Sequence, residues 1–423
     1  MRPSALVAVL CSATAAAAGP PADLILRGGD ILTQDPARPH ARALAVRGGL
    51  IVALDDAATA LAGPKTRVIE LQGRAVVPAL TDAHAHLVNL GLARNQVELR
   101  GCRSAADCAG RIARDRHRRG AWTLGRGWDQ NLFPDGKFPT HAALDALPGP
   151  VWVRRVDGHA GWANAAALRA AGLTRASQDP PGGKGVRDPS GAPTGIFVDN
   201  AMSLIDRAVP APSPAEIEAA ILRGQELALA EGLTEVHEMG IPLAYTDVYK
   251  RLAARGRLHL RVYAYGAQDQ AARIFAHPPA PSKPGAFFTL RGLKIYADGA
   301  LGSRGAALLA PYSDDPGNRG LVLTGAPLAF GSDFPVEEVS VVDGFRAAVE
   351  RAGWSDGEQL TLDETLRAFT TGAAFAAFEE GWRGRGTEGL AADLTVFDRP
   401  AADLVHARVD ATLVGGKIVY QRR

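Results

Sequence analysis

The chain has 423 residues, 47% hydrophobic and 22% charged, ordinary for a globular protein and enough for one large domain with an accessory, or for two. Its 47 basic and 45 acidic residues leave a net charge of +2, which gives no electrostatic reason to bind nucleic acid. Past the N-terminal segment, no run approaches the roughly 18 uninterrupted apolar residues of a spanning helix, so no membrane span is expected.

Residues 1–18 combine Arg2, an apolar run from Ala5 to Leu10 and the small residues Ala16, Ala17 and Ala18. That is the layout of a cleaved secretory leader, and it predicts an exported protein, periplasmic or extracellular. Cys11 in this segment suggests a lipid anchor, but Leu10 before it is larger than such a site takes. Beyond the leader stand Cys102 and Cys108. Two cysteines establish no disulfide framework, so two unpaired buried thiols are expected, with pairing in an oxidising compartment as the alternative.

Residues 22–75 alternate short apolar runs (Leu24–Leu26, Ala43–Val46, Leu50–Leu54, Val68–Leu71) with glycine turns at Gly28-Gly29 and Gly48-Gly49. Residues 387–423 repeat the texture, with Leu394–Phe397, Leu413–Val414 and Ile418–Tyr420 around Gly415-Gly416. Regular short strands with glycine turns predict a small β-sandwich built from both ends of the chain. Between them, residues 76–386 read as α/β. Strands are expected at Val76–His86, Leu233–Met239, Leu258–Tyr265 and Leu293–Ala297, and helices at Ser213–Glu231 and Ala244–Ala254. The first helix is well punctuated: Ser213 as N-cap, Pro214 in the first turn, Glu216 as the box acid, Gly232 just past the end. Strand, helix, strand in repetition predicts a parallel sheet with helical crossovers. The stretch 98–210, rich in Trp, Pro and Gly, interrupts that rhythm. Structureless loops longer than about 15 residues are uncommon in compact domains, so it is expected to be an inserted subdomain.

His84 and His86 end the first of these apolar runs. Two apart on a strand, they leave the same face, and neutral imidazoles are good ligands for zinc and similar divalent ions. Asp333 closes a later run from Ala326 to Phe330 and precedes Phe334-Pro335. A carboxylate there either binds a metal and takes a proton from water, or caps the helix expected after Val336.

The run Pro78-Ala-Leu-Thr-Asp-Ala-His-Ala-His86 resembles the amidohydrolase superfamily. Arg126-Gly-Trp-Asp-Gln130, Val156-Asp-Gly-His-Ala160, Lys294-Ile-Tyr-Ala-Asp-Gly-Ala-Leu-Gly-Ser-Arg304 and Phe330-Gly-Ser-Asp-Phe-Pro335 resemble its YtcJ-like branch, amidohydrolase family 3. These motifs occur in order across residues 22–420. The resemblance implies a (β/α) TIM-like barrel and metal-dependent hydrolysis of carbon–nitrogen bonds other than peptide bonds in a small-molecule amide or formamide. It implies His84, His86, Lys294 (as a carbamate) and Asp333 as metal ligands, with Asp333 also the catalytic base. Trp128, Asp129, His159, Asp298 and Arg304 are expected to contact substrate, and Ser303 to shape the rim. His237 is expected to be a packed histidine, replacement of a lost ligand being the alternative. The other histidines read as surface or packing residues.

The chain departs from that pattern in one place. Between Lys294 and Asp333 lie 333 − 294 − 1 = 38 residues, whereas a βαβ unit takes roughly 30 or more. Three strand-helix units do not fit, and no histidine occurs between His277 and His406. The expectation is a barrel lacking strands five to seven, one metal ion rather than two, and exposed strand edges that favour a homo-oligomer. The alternative reading is a catalytically impaired relative that binds or is degenerate. A deletion in the gene record around Leu321–Ala326 is a third, which re-sequencing decides.

Overall fold

The computed structural model describes residues 19–267, 270–274, 276, 280–294, 329–350 and 359–422. The expected leader, Asp298, Ser303, Arg304 and the junction at 321–326 lie outside the described residues.

Strands from both ends of the chain hydrogen-bond into one eight-stranded sheet. Its centre is Ala75–Pro78, parallel to Leu24–Leu32 and antiparallel to Leu394–Phe397, so it ties the N-terminal strands to the C-terminal ones. Leu26, Leu44, Ile51, Val76, Leu394 and Leu413 bury one face of it. The single strand expected over Val76–His86 is in fact two. Ala79 adopts a left-handed φ of +51°, which turns the chain out of the first sheet before Thr81–Ala85 enters another. Pro78, with no N–H to give a ladder, ends the first strand.

The second sheet has four parallel strands in the order Phe288–Leu293, Arg261–Gly266, Glu235–Ile241, Thr81–Ala85. Helices Pro214–Ala230 and Leu243–Ala254 precede and follow the Glu235 strand. The first begins as its sequence predicts: Ser213 Oγ accepts the Glu216 N–H at 3.2 Å while the Glu216 carboxylate accepts the Ser213 N–H at 2.8 Å. It lies against helix Leu87–Ala93 at two glycines. A Cβ on Gly91 would stand 1.9 Å from the Ala220 carbonyl, and one on Gly224 2.6 Å from that of Leu87. A strand runs over Phe288–Leu293 with Lys294 directly after it; of the strand expected at Leu293–Ala297, residues 295–297 lie outside the described residues.

On the other flank of Thr81–Ala85 runs the segment 330–334. Ala83 N–H donates to the Phe330 carbonyl (2.9 Å), Asp333 N–H to that of His84 (2.8 Å) and His86 N–H to that of Phe334 (2.9 Å). Donors and acceptors alternate along both segments, as in a strand pairing, so a late piece of chain is fixed beside the early histidines.

The third sheet falls between the Thr81 and Glu235 strands in sequence. Its six strands run in the order Gly183–Arg187, Pro193–Asp199, Ala160–Ala163, Val151–Arg155, Thr123–Trp128, Val97–Glu98. Trp128, Trp162, Val151, Val153 and Ile196 pack its core together with Cys102 and Cys108. The two cysteines are bonded to each other, which corrects the expectation of free thiols. Ser104 caps helix Ala105–Arg114, and the chain reversal there brings the two Cα atoms to 5.4 Å, inside the normal span of a disulfide. Among the described residues no helix is long and apolar enough to cross a membrane.

Candidate metal centre and cleft

His84 stands near the C-terminal end of its strand and His86 just past it, before helix Leu87–Ala93. The pairing with segment 330–334 brings Asp333 between them. One ligand atom from each of His84, His86 and Asp333 lies within 4.8 Å of the others. Asp333 Oδ1 is 3.1 Å from His86 Nε2 and 3.6 Å from His84 Nε2. Lys294 Nζ lies 3.0 Å from His84 Nε2.

The charges of these groups are coupled. Burial disfavours the Asp333 carboxylate, but His86, His84 and Lys294 outweigh it and hold its pKa below the usual range. Burial also disfavours charge on His86, yet Asp333 and Glu238 raise its pKa. His84 is pulled down by burial and by Lys294. Lys294 is pulled down by burial, against Asp333. Asp333 Oδ1 is buried without a hydrogen bond of proper geometry, so an acceptor facing two imidazole nitrogens is left for a cation to satisfy. Two neutral imidazoles and one carboxylate also suit a zinc-type ion. The donor set fits a metal.

Three residues hold this geometry. Asp82, buried below the histidines, accepts the His84 N–H at 3.1 Å, the Ser332 N–H at 3.1 Å and the Ser332 hydroxyl at 2.6 Å. It therefore clamps the early strand to the residue before Asp333. Burial pushes its carboxyl up to about 6, although Ser332 and the backbone donors oppose that. Gly331 is forced by space: a Cβ there would lie 2.3 Å from the His84 nitrogen. Glu238, fully buried, accepts the N–H groups of Leu87 and Val88, the latter at 3.3 Å, and so anchors the chain directly after His86. Burial raises its carboxyl to about 7, opposed by His86 and those donors. Asp82 was visible in the first motif and Gly331 and Ser332 in the last, though without a role for any of them; Glu238 was not singled out. Glu238 is one of three ionisable residues, with Glu235 and His237, on a strand that is buried nearly throughout, and that concentration of charge was the available signal.

The centre opens into a cleft of about 960 Å³ that also includes Arg126, His159 and Asp199 from the third sheet. His159 Nδ1 lies 2.8 Å from Asp199 Oδ1, and Asp199 is held at φ +48°, ψ −126°, a backbone conformation that disfavours any side chain. His159 thus lines the cleft. Trp128 does not: its indole is fully buried in the core of the third sheet and donates to the Val153 carbonyl at 2.9 Å. Asp129 is engaged by Arg155 at 2.7 Å and caps a short turn through Asn131 N–H; neither residue lines the cleft. His237 stays out of the centre. It is buried between Tyr263 and Tyr265, 3.4 Å from Glu235, and burial lowers its pKa to about 4.

The family model described as the amidohydrolase family matches residues 67–323 and 318–420. The chain is 34% identical over 322 residues to Protein LONG AFTER FAR-RED 3 of Arabidopsis thaliana, covering 72% of this chain and 55% of that one, about half its length. It is 27% identical to the YtcJ protein of Bacillus subtilis, covering 85% of this chain and 91% of that one. That match spans 492 positions while 85% of 423 is about 360 residues, so about 492 − 360 = 132 positions have no counterpart here. It is 29% identical over 257 residues to an N-substituted formamide deformylase of Arthrobacter pascens, covering 56% of this chain and 46% of that one. Among solved structures, an uncharacterized metal-dependent hydrolase from Pyrococcus furiosus superposes with a TM-score of 0.70 at 22% identity, over 89% of this chain and 99% of that one.

Proposed function

This chain belongs to the amidohydrolase family, and from that premise we propose that it is a metal-dependent hydrolase of a carbon–nitrogen bond other than a peptide bond, acting on a small amide or formamide. One observation carries the reading: residues 84, 86 and 333, remote in sequence, bring three ligand atoms within 4.8 Å at the head of a cleft. A divalent ion such as zinc supplies Lewis-acid polarisation of the carbonyl and a more acidic water when bound. His84, His86 and Asp333 would hold it. Lys294 would join them as a carbamate, an anionic ligand; as an ammonium it would repel the ion. Asp333, kept anionic by its neighbours, accepts the proton of the attacking water and returns it to the leaving amine. The formamide relative supports the choice of bond.

One ion rather than two is proposed, because strand-five and strand-six histidines of the family pattern have no counterpart between His277 and His406. A barrel lacking strands five to seven is supported by the 132 unmatched positions and by the two family matches that meet at residues 318–323. Self-association through the strand edges is part of the same reading. Export fits the leader-like start and the Cys102–Cys108 disulfide, which persists in oxidising compartments.

Elemental analysis of the purified protein is expected to find about one divalent ion per chain. N-substituted formamides and N-acyl amines are expected to be hydrolysed, with both properties lost in His84→Ala. Protein without stoichiometric metal, and unaffected by that change, would refute the proposal. A second reading, an impaired relative that only binds, is favoured by the same missing histidines. Metal-dependent turnover of any member of that substrate panel removes it.

A further inference from the structure

The cleft contains a cation that the hydrolytic centre does not use. Arg126 sits on strand Thr123–Trp128 and lines the cavity shared with His84, His86 and Asp333. The other guanidiniums of the cleft are occupied. Arg154 meets both oxygens of Asp206 at 2.8 Å. Arg155 bonds Asp129 at 2.7 Å and also Asp157, and Arg119 faces Glu216 at 3.8 Å. Of the acids, Asp199 is engaged by His159, while Asp333 faces His86 and His84 in the centre itself. Among the described residues, Arg126 has no carboxylate within 4.0 Å, and its hydrogen bond to the Val156 carbonyl is long at 3.4 Å.

Its surroundings add to the imbalance. Burial, and then its cationic neighbours Arg100 and Arg154, pull its pKa below the ordinary value. Glu98 and Glu338 counter this only in part, and each is taken: Glu98 accepts the Arg100 N–H at 2.8 Å and Glu338 pairs with the Arg100 side chain. Arg100 in turn donates at 2.7 Å to the carbonyls of Pro335 and Val336, two and three residues past Asp333. The cationic region therefore borders the loop that starts at the centre. A half-buried cation among like charges is disfavoured until an anion joins it.

We propose that the substrate carries a carboxylate, and that Arg126 receives it while the scissile carbon–nitrogen bond lies at the His84–His86–Asp333 centre. The planar fork of a guanidinium matches the two oxygens of a carboxylate, and the cavity has the size of a small-molecule site. Arg126 is thus the specificity-determining residue. The proposal rests on the hydrolytic reading above, but its test does not depend on turnover.

The probes are N-formyl ω-amino acids of increasing chain length, each beside its neutral carboxamide. Binding to the full-length, metal-loaded protein is measured by calorimetry, and hydrolysis by formate release. At the best chain length the acid is expected to bind about 10- to 100-fold tighter than its amide, the scale of a charge-assisted hydrogen-bonded pair. That preference is expected to disappear in Arg126→Gln, to return in part in Arg126→Lys, and to shrink as salt rises. Binding of the neutral amide is expected to change less than that of the acid in both variants. If the acid is preferred through Arg126 but neither probe is hydrolysed, the hydrolytic reading fails while the carboxylate site at Arg126 stands. If amides are hydrolysed while acid and amide bind alike in the wild-type protein, or the preference survives Arg126→Gln, the carboxylate proposal is wrong.

Discussion

Asp82 and Gly331 show how a centre is built from residues that never touch a ligand. Asp82 receives donors from the His84 strand and from Ser332, so it sets the distance between the histidines and Asp333. Asp82→Ala leaves those donors without an acceptor in a buried place, which costs about 1–3 kcal/mol per group. The expected result is metal affinity lowered at least about tenfold, in the range typical when a group supporting metal ligands is lost, checked by competition with a chelator. Gly331→Ala is expected to be worse, because its Cβ meets backbone at 2.3 Å rather than a movable side chain. Segment 330–334 must then separate from the strand. Metal stoichiometry in that variant is expected to fall toward zero while its circular dichroism stays native; full occupancy would mean the pairing is not needed. Trp128 carries the opposite lesson: a motif residue that packs in a core instead of meeting substrate.

Helix Pro214–Ala230 shows local signals and packing acting together. Its capping box satisfies N–H groups that the helix cannot, and Ser213→Ala is expected to lower stability by about 1 kcal/mol, measured by urea unfolding. Gly91, where it meets helix Leu87–Ala93, matters more. Gly91→Ala puts a methyl 1.9 Å from a carbonyl oxygen, so the helices must move apart. Helix Leu87–Ala93 begins directly after His86, held by Glu238. The variant is therefore expected to lose metal affinity as well as stability, whereas Ser213→Ala loses stability alone. Equal metal affinity in the two variants would break that link.

Across the whole molecule, a buried charge network joins the parallel sheet to the sheet made from the chain ends. Arg261 bonds both oxygens of Asp393 at 2.7 and 3.1 Å, and Asp393 also accepts the Gly415 N–H at 2.8 Å. Removing one partner of a buried pair strands the other, so Asp393→Ala is expected to cost about 3–5 kcal/mol in a thermal or urea melt. Beside this network His237 gives acid sensitivity. Burial, then Arg383, lowers its pKa from 6.5 to about 4. The folded state favours neutral imidazole, so the contribution is present above pH 6.5 and lost as pH falls through about 4. It amounts to about 3 kcal/mol in full. His237→Gln is expected to flatten the stability profile between those pH values; a profile of unchanged slope would exclude His237 as its source.

Much of this molecule was legible in the chain itself. Glycine-separated apolar runs, the Ser213–Glu216 box and the His84-Ala-His86 spacing are short-range features, set by hydrogen bonds and periodicities spanning a few residues, and they appear where local chemistry demands. What only the tertiary structure decided is long-range. The break at Ala79 comes from two sheets competing for one run. The bond between Cys102 and Cys108 comes from a chain reversal at a helix cap. The position of Asp333 comes from a strand-like pairing with residues about 250 positions earlier. Sequence spacing holds no information on which distant segments will lie side by side, because that choice is made by burial, by steric room at residues such as Gly331, and by the demand that every buried donor find an acceptor.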